Sequence, residues 1–336
     1  MDSLTQIVLG AAVGEAILGR KVGNKAMLYG AIAGTIPDLD VLLRNFTDTI
    51  TATEAHRGFS HSIVFCVLAA PLLGWLVNKI ERKKNLGWKP WAWLFFWGLF
   101  THPLLDCFTT WGTQLFWPFD WRIAFNSIFV IDPLYTIPFM VCVIWAMFLK
   151  RSLTMRRKVN WTGITISSCY LILNVGLKII ANARFEQALK NQQLDYIEIS
   201  TRPGAFNTIL WNVNVDTDDA YLIGDYSFFD SQPITLEQYP KNRKEEPEFE
   251  SSHAQEDLER MKDIAQGWYL MENKNGEWYF YDLRFGLRPI SESEEEFVFA
   301  YIVKEGDDGL IVKETEKNLD DASLIFEQLW QRIQGN

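Results

Sequence analysis

Three stretches of this chain, 63–80, 128–149 and 161–181, are apolar over a length that matters for folding. About 20 helical residues cross the ~30 Å hydrocarbon core of a bilayer, so each is long enough to span one. A fourth stretch, 91–115, is long enough but carries His102 and Asp106 within it. Two shorter apolar runs, 4–18 and 26–36, are rich in Gly and Ala, which lets helix backbones approach closely. They are expected to form a tight helical hairpin. The first half therefore reads as a polytopic α-helical membrane domain with about four to six membrane-embedded helices.

Charge divides the chain. Residues 1–181 hold 17 Lys and Arg against 10 Asp and Glu, and residues 182–336 hold 15 against 32, so the negative formal net charge of -10 comes entirely from the second half. That second half is expected to be an acidic, soluble, mainly β (α+β) domain. Thr208–Val215 and 220–229 alternate apolar and polar residues around a 216–219 turn, and 267–271, 277–283 and 297–303 continue the period of two. Asn273-Lys274-Asn275-Gly276 reads as a hairpin turn, 240–259 as a loop running into a short helix, and 319–333 as a helix. An acidic domain repels a phosphate backbone, which argues against a nucleic-acid partner.

Basic residues also set an orientation. Arg20, Lys21 and Lys25, then Arg82, Lys83, Lys84 and Lys89, then Lys150, Arg151, Arg156, Arg157 and Lys158 fall at alternate connections. The loops between them, 38–61 and 116–127, hold only Arg44, Arg57 and Arg122. The positive-inside rule puts the basic loops in the cytoplasm and the sparse loops, with the C-terminal domain, outside. Many of the 14 Trp lie near the ends of apolar runs, as in an interfacial belt. Cys66, Cys107, Cys142 and Cys169 sit in apolar segments without CxxC spacing and read as small hydrophobes. The opening of the chain, with Asp2, no basic stretch and Glu15 in its apolar run, is not expected to be a cleavable signal.

Four groups of polar residues could carry chemistry. Asp38 and Asp40 follow Pro37 at the end of an apolar run; paired carboxylates bind cations, although a polar helix end is the plainer reading. His56 and His61 sit about 140° apart on a helix and converge only if a turn near Gly58 separates them. His102 and Asp106, at i and i+4, share one helical face, where both can reach one metal or Asp106 can orient the imidazole. Asp132, before Pro133, is either a helix cap or a site residue. On the orientation above, all seven fall at or near the outer face, with His102 one turn deeper. Imidazoles with carboxylates suit zinc, or a mixed dinuclear site with manganese as another candidate, better than magnesium. Glu15 is expected to pair with Arg20, and His253 to be solvated.

Together, Met1-Asp2-Ser3-Leu4-Thr5, Pro37-Asp38-Leu39-Asp40, His56-Arg57-Gly58-Phe59-Ser60-His61-Ser62, Thr101-His102-Pro103-Leu104-Leu105-Asp106 and Ile131-Asp132-Pro133 resemble the YdjM-type family of bacterial inner-membrane proteins, described as membrane-bound metal-dependent hydrolases. The resemblance covers residues 1 to about 180. The family is distantly similar to the α-helical zinc phospholipase C and nuclease superfamily, which implies phosphoester hydrolysis. It further implies Asp38, Asp40, His56, His61, His102 and Asp106 as metal ligands, Asp132 as ligand or base, and Arg57 as the group that neutralises charge on a phosphoryl oxygen. Many members carry His where this chain has Gln6, a poor zinc ligand, so the resemblance implies either one metal fewer or a Gln6 that only hydrogen-bonds in the site.

The leading expectation is a hydrolase acting on a phosphoester or lipid-linked substrate at the outer membrane–water interface. The alternative is a non-catalytic, metal-stabilised membrane protein whose outer domain binds a partner. A transporter is disfavoured because the polar residues gather at one face. Neither an HExxH nor a Ser/Lys protease pattern is present.

Overall fold

The computed structural model describes residues 1–243, 246–288, 296–315 and 322–335. Its helices in chain order are α1 (Ser3–Val22), α2 (Asn24–Thr35), α3 (Thr49–Ala55), α4 (Ile63–Ile80), α5 (Trp88–Asp106), α6 (Pro133–Phe148), α7 (Thr154–Asn191), α8 (Ser252–Ile264) and α9 (Ala322–Ile333). The chain divides into two compact units. One comprises residues 1–46, 55–177 and 205–207; the other comprises 47–54, 178–204 and 208–336.

In the first unit, α1 and α2 form the expected hairpin. The Asp2 carboxylate accepts a hydrogen bond from the Thr5 N–H at the start of α1, and Gly23, at φ 66°, ends the helix. Gly10 and Gly14 on α1 meet Gly30 and Gly34 on α2. A Cβ at Gly14 would stand 2.1 Å from the Ala26 carbonyl oxygen, and one at Gly30 2.1 Å from that of Gly10. The two backbones are thus in contact, which only glycine permits. The segment 37–45 continues beyond Pro37 as a 3-10 helix, bent 45° from α2.

By length and composition, α4 and α7 are each able to cross a membrane, and α2 with the 3-10 segment counts as a third span if the bent pair is taken as one. The 16-residue α6 is apolar but shorter. The expected count of four to six is not reached on this measure among the described residues. The reasons are local. The apolar run from 91 ends as helix at Asp106, because the chain then turns into a loop pinned by the Thr113–Ile123 bridge. The run from 128 becomes helical only at Pro133, where Asp132 caps the first turn. The last run instead extends in both directions into the 38-residue α7.

Glu15 does not pair with Arg20. Its carboxylate takes a two-pronged contact from Arg156, with Nε at 2.7 Å and Nη2 at 2.5 Å, and both side chains are buried. Sequence proximity suggested Arg20, but an arginine distant in the chain is brought alongside α1 by the fold.

The second unit contains two four-stranded antiparallel sheets in sequential order. The first is β1 (Glu198–Pro203), β2 (Leu210–Asp216), β3 (Ala220–Ser227) and β4 (Leu236–Pro240); the second is β5 (Tyr269–Lys274), β6 (Glu277–Arg288), β7 (Glu296–Gly306) and β8 (Gly309–Glu314). Asn275 and Gly276 both have positive φ, so the predicted hairpin turn joins β5 to β6 with Lys274 opposite Glu277. β1, β4 and β8 were not expected. Helix α8 lies where the loop was expected to become helical, and α9 covers the described part of 319–333; residues 319–321 lie outside the described residues. Helix α3 belongs to this unit: Ile50 is buried with Leu258, Met261 and Phe280, and Arg260 of α8 holds Glu54 at 2.7 Å.

Candidate metal centre

Three separate stretches deliver the site. Pro37 ends α2 and starts the 3-10 segment that presents Asp38 and Asp40. A tight turn at 56–61 presents His56 and His61. The residue that takes the left-handed conformation is Arg57, at φ 59°, and not Gly58, where the sequence suggested the flexibility would lie. A non-glycine residue held there costs on the order of 1 kcal/mol or more and persists only when its surroundings enforce it. Here the Arg57 N–H donates to Asp40 Oδ2 at 2.9 Å and its Nη1 donates to Thr109 Oγ1 at 2.8 Å. The last turns of α5 supply His102 and Asp106 from one face.

Asp38, His61, His102 and Asp106 each bring one ligand atom to a common point, all four within 4.8 Å of one another. Nε2 of His61 is 3.4 Å from Asp38 Oδ1 and 3.5 Å from Asp106 Oδ2; Nε2 of His102 is 3.3 Å and 3.5 Å from the same two atoms. The side chains of His61, His102 and Asp106 are fully buried, while that of Asp38 is 21% exposed and forms the accessible side.

The surroundings fix which ring atoms face inward. His102 Nδ1 is 2.6 Å from the Gly34 carbonyl, which can only accept, so Nδ1 carries the proton and Nε2 offers a lone pair. His61 Nδ1 lies 2.9 Å from Ser60 Oγ and 3.3 Å from Asp40 Oδ2. Asp106 Oδ2 is buried without a hydrogen-bond donor. The inward lone pair of His102, a second imidazole nitrogen from His61 and two carboxylates thus converge, a set of atoms that can hold a cation. The His61 imidazole responds accordingly. Burial pulls its pKa down, but hydrogen bonds and charge from Asp106, Asp38 and Asp40 outweigh this and raise it to about 9.

Asp40 and His56 stand beside this cluster. Asp40 Oδ1 lies 3.0 Å from His56 Nδ1, and Ser60 Oγ donates to its Oδ2 at 3.0 Å. Arg57 is buried with Nε 3.2 Å from Asp106 Oδ2, so its charge does face the cluster. Asp132 does not join it. Its Oδ1 accepts from the N–H groups of Leu134 and Tyr135 and its Oδ2 from the Tyr170 hydroxyl, the helix-cap role. Gln6 donates to Asp106 Oδ1 at 3.0 Å, and the Met1 α-amino group meets the same oxygen. Thr109, Ser60 and the Gly34 carbonyl had no distinguishing signal in the sequence.

A helical unit of a membrane protein, with His and Asp side chains converging at a point that could hold a metal ion, defines the class of this molecule. The chain belongs to the YdjM inner membrane protein family, whose model matches residues 1–183. It is also similar to "Inner membrane protein YbcI" of Escherichia coli (strain K12), at 36% identity over 106 residues. That match takes in 31% of this chain and 59% of the relative, so the chain covers under two thirds of the relative's length. No solved structure matches.

Proposed function

We propose that the protein is a membrane-bound, metal-dependent hydrolase acting on a phosphoester or lipid-linked substrate at the extracytoplasmic membrane–water interface. The convergence of Asp38, His61, His102 and Asp106, with His102 Nε2 turned inward by the Gly34 carbonyl, carries this reading. Two nitrogens and two oxygens favour zinc, with manganese as the other candidate. Such an ion, when bound, acts as a Lewis acid and lowers the pKa of water.

The chain's own residues supply the rest. Asp38 alone borders the accessible side, so substrate reaches the cluster past its carboxylate. Arg57 brings a fixed positive charge to the edge of the cluster, where it offsets negative charge on a phosphoryl oxygen. His56 is one-third exposed with Nδ1 held by Asp40, which leaves Nε2 to take or give a proton. This replaces Asp132 as the proton-handling group, since both Asp132 oxygens serve α6 and Tyr170. The basic loops at the opposite connections support placing this face outside.

The test is hydrolysis of a panel of aryl phosphoesters and short-chain phospholipids by detergent-purified protein, with and without zinc or manganese after chelation. Turnover that follows the metal and is lost in His102→Ala establishes the reading. Stoichiometric metal with no turnover on any substrate leaves a metal-stabilised scaffold instead.

A further inference from the structure

The opposite end of α1 carries a second polar site. From Gln6, at the metal centre, to Arg20 is 14 residues, roughly 21 Å of helix. There, Glu15, Ala16, Ile17 and Arg20 of α1 and Arg157 and Asn160 of α7 line a cavity of about 80 Å³. One water needs only ~10–15 Å³ of comparable space, so the cavity takes a larger group.

Its charges do not cancel internally. Glu15 is neutralised by Arg156 in the buried two-pronged pair. Arg20 and Arg157 are exposed, and neither has a hydrogen bond or ion pair among the described residues. Two exposed guanidinium groups at one cavity, each with its N–H donors free of protein partners among the described residues, suit a phosphate group. Asn160 adds a second requirement. It is 1% exposed, its Nδ2 donates to the Ala12 carbonyl at 3.0 Å, and its Oδ1 is buried without a donor. A buried acceptor in that state is costly unless something donates to it.

We infer that this cavity binds the headgroup of a phospholipid that carries both a phosphate and a hydrogen-bond donor, phosphatidylethanolamine fitting both requirements. The phosphate lies between Arg20 and Arg157, and the ammonium serves Asn160 Oδ1. The shared chemistry is a phosphate group, which a free phosphate also presents; the lipid is preferred because the cavity is lined by helices of the membrane unit and because inorganic phosphate has no ammonium to offer. Basic pockets between membrane helices on the side of the basic loops bind the phosphates of lipid headgroups. Neither the metal centre nor its activity enters this inference.

The experiment is native mass spectrometry of the full-length protein from nanodiscs containing phosphatidylethanolamine and phosphatidylcholine, with inorganic phosphate titrated in a parallel arm. Wild type retains one phosphatidylethanolamine in preference to phosphatidylcholine, whose quaternary nitrogen cannot donate. The variant Arg20→Ala/Arg157→Ala, altered only at exposed positions, binds it on the order of thirtyfold more weakly. Lys83→Ala/Lys84→Ala, with equal charge removed elsewhere, binds as wild type does. Asn160→Leu keeps a lipid but loses the preference between headgroups. Equal retention in the two double variants overturns the site, and displacement of the lipid by millimolar inorganic phosphate overturns its assignment to a lipid.

Discussion

The Nε2 atoms of His61 and His102 lie 3.1 Å apart although the residues are 41 positions apart in sequence. With His102 Nδ1 protonated against Gly34, that approach is favourable only when a proton or a metal ion sits between the rings. The raised pKa of His61 is the proton's version of the same demand. The candidate metal centre is therefore a pair of imidazoles first and a set of carboxylates second.

That ordering predicts unequal effects of removing its histidines. Plasma mass spectrometry of purified His102→Ala is expected to find the metal lost. His56→Ala is expected to retain most of it, because His56 bonds Asp40 and stands outside the four-atom cluster. Changes to partners that hold ligands in place typically cost 10–100-fold in affinity. Equal loss in both variants would mean that His56 is a direct ligand and that the cluster rearranges on binding.

The Glu15–Arg156 pair gives a second prediction. Breaking a buried ion pair by removing one partner leaves an uncompensated charge and costs ~3–5 kcal/mol. Glu15→Gln should therefore lower the unfolding midpoint in detergent sharply, while Arg20→Ala should leave it almost unchanged. Gly19 is part of the same arrangement, since a Cβ there would lie within 2.4 Å of the Glu15 carboxylate oxygens. Gly19→Ala should reproduce a fraction of the Glu15→Gln loss in the same thermal scan.

The α1–α2 hairpin is the tightest helix contact in the first unit, and its tolerance is testable. A leucine at position 14 or 30 must displace a carbonyl that stands about 2.1 Å from its Cβ. Overpacking of this kind costs typically ~1–3 kcal/mol, and more where backbone must move. Because Gln6 and Gly34 belong to the same hairpin and both touch the centre, Gly30→Leu should lower metal content as well as stability. Lost stability with unaltered metal would show that the hairpin and the centre are uncoupled.

How much of this was legible depends on the range of each interaction. The Gly and Ala content of two short apolar runs pointed to the α1–α2 contact, and the i, i+4 pair His102–Asp106 needed only the helical repeat. The Asn275-Gly276 turn was readable because two left-handed residues in a row leave few sequences to choose from. By contrast, Arg156 as the partner of Glu15, and the Gly34 carbonyl as the group that orients His102, are contacts across 141 and 68 positions. No local pattern announces them. Asp132 was ambiguous for a reason of its own: a carboxylate before proline has the same sequence signature whether it caps a helix or faces a metal. Strands β1, β4 and β8 were missed because they are short, and β4 and β8 are half exposed or exposed along much of their length, so the alternation is weak.

Orientation in the membrane is the last prediction. The segment 47–54, between Asp40 and His56 in sequence, folds as part of the β-rich unit, with Ile50 in its core and Thr49 Oγ1 donating to the Val312 carbonyl at 3.1 Å. A seven-residue helix cannot be separated by a bilayer from the core that buries it. Single cysteines introduced as Asn45→Cys and Asp218→Cys are thus expected to react with a membrane-impermeant maleimide from the same side, over the background of the four native thiols. In the proposed orientation, which rests on the distribution of Lys and Arg, that side is the outer one, so both are expected to label in intact cells and Lys83→Cys only after lysis. Labelling of Asp218→Cys and Asn45→Cys from opposite sides would contradict the packing of α3. Labelling of both only after lysis would invert the orientation and move the proposed hydrolysis to the cytoplasmic face.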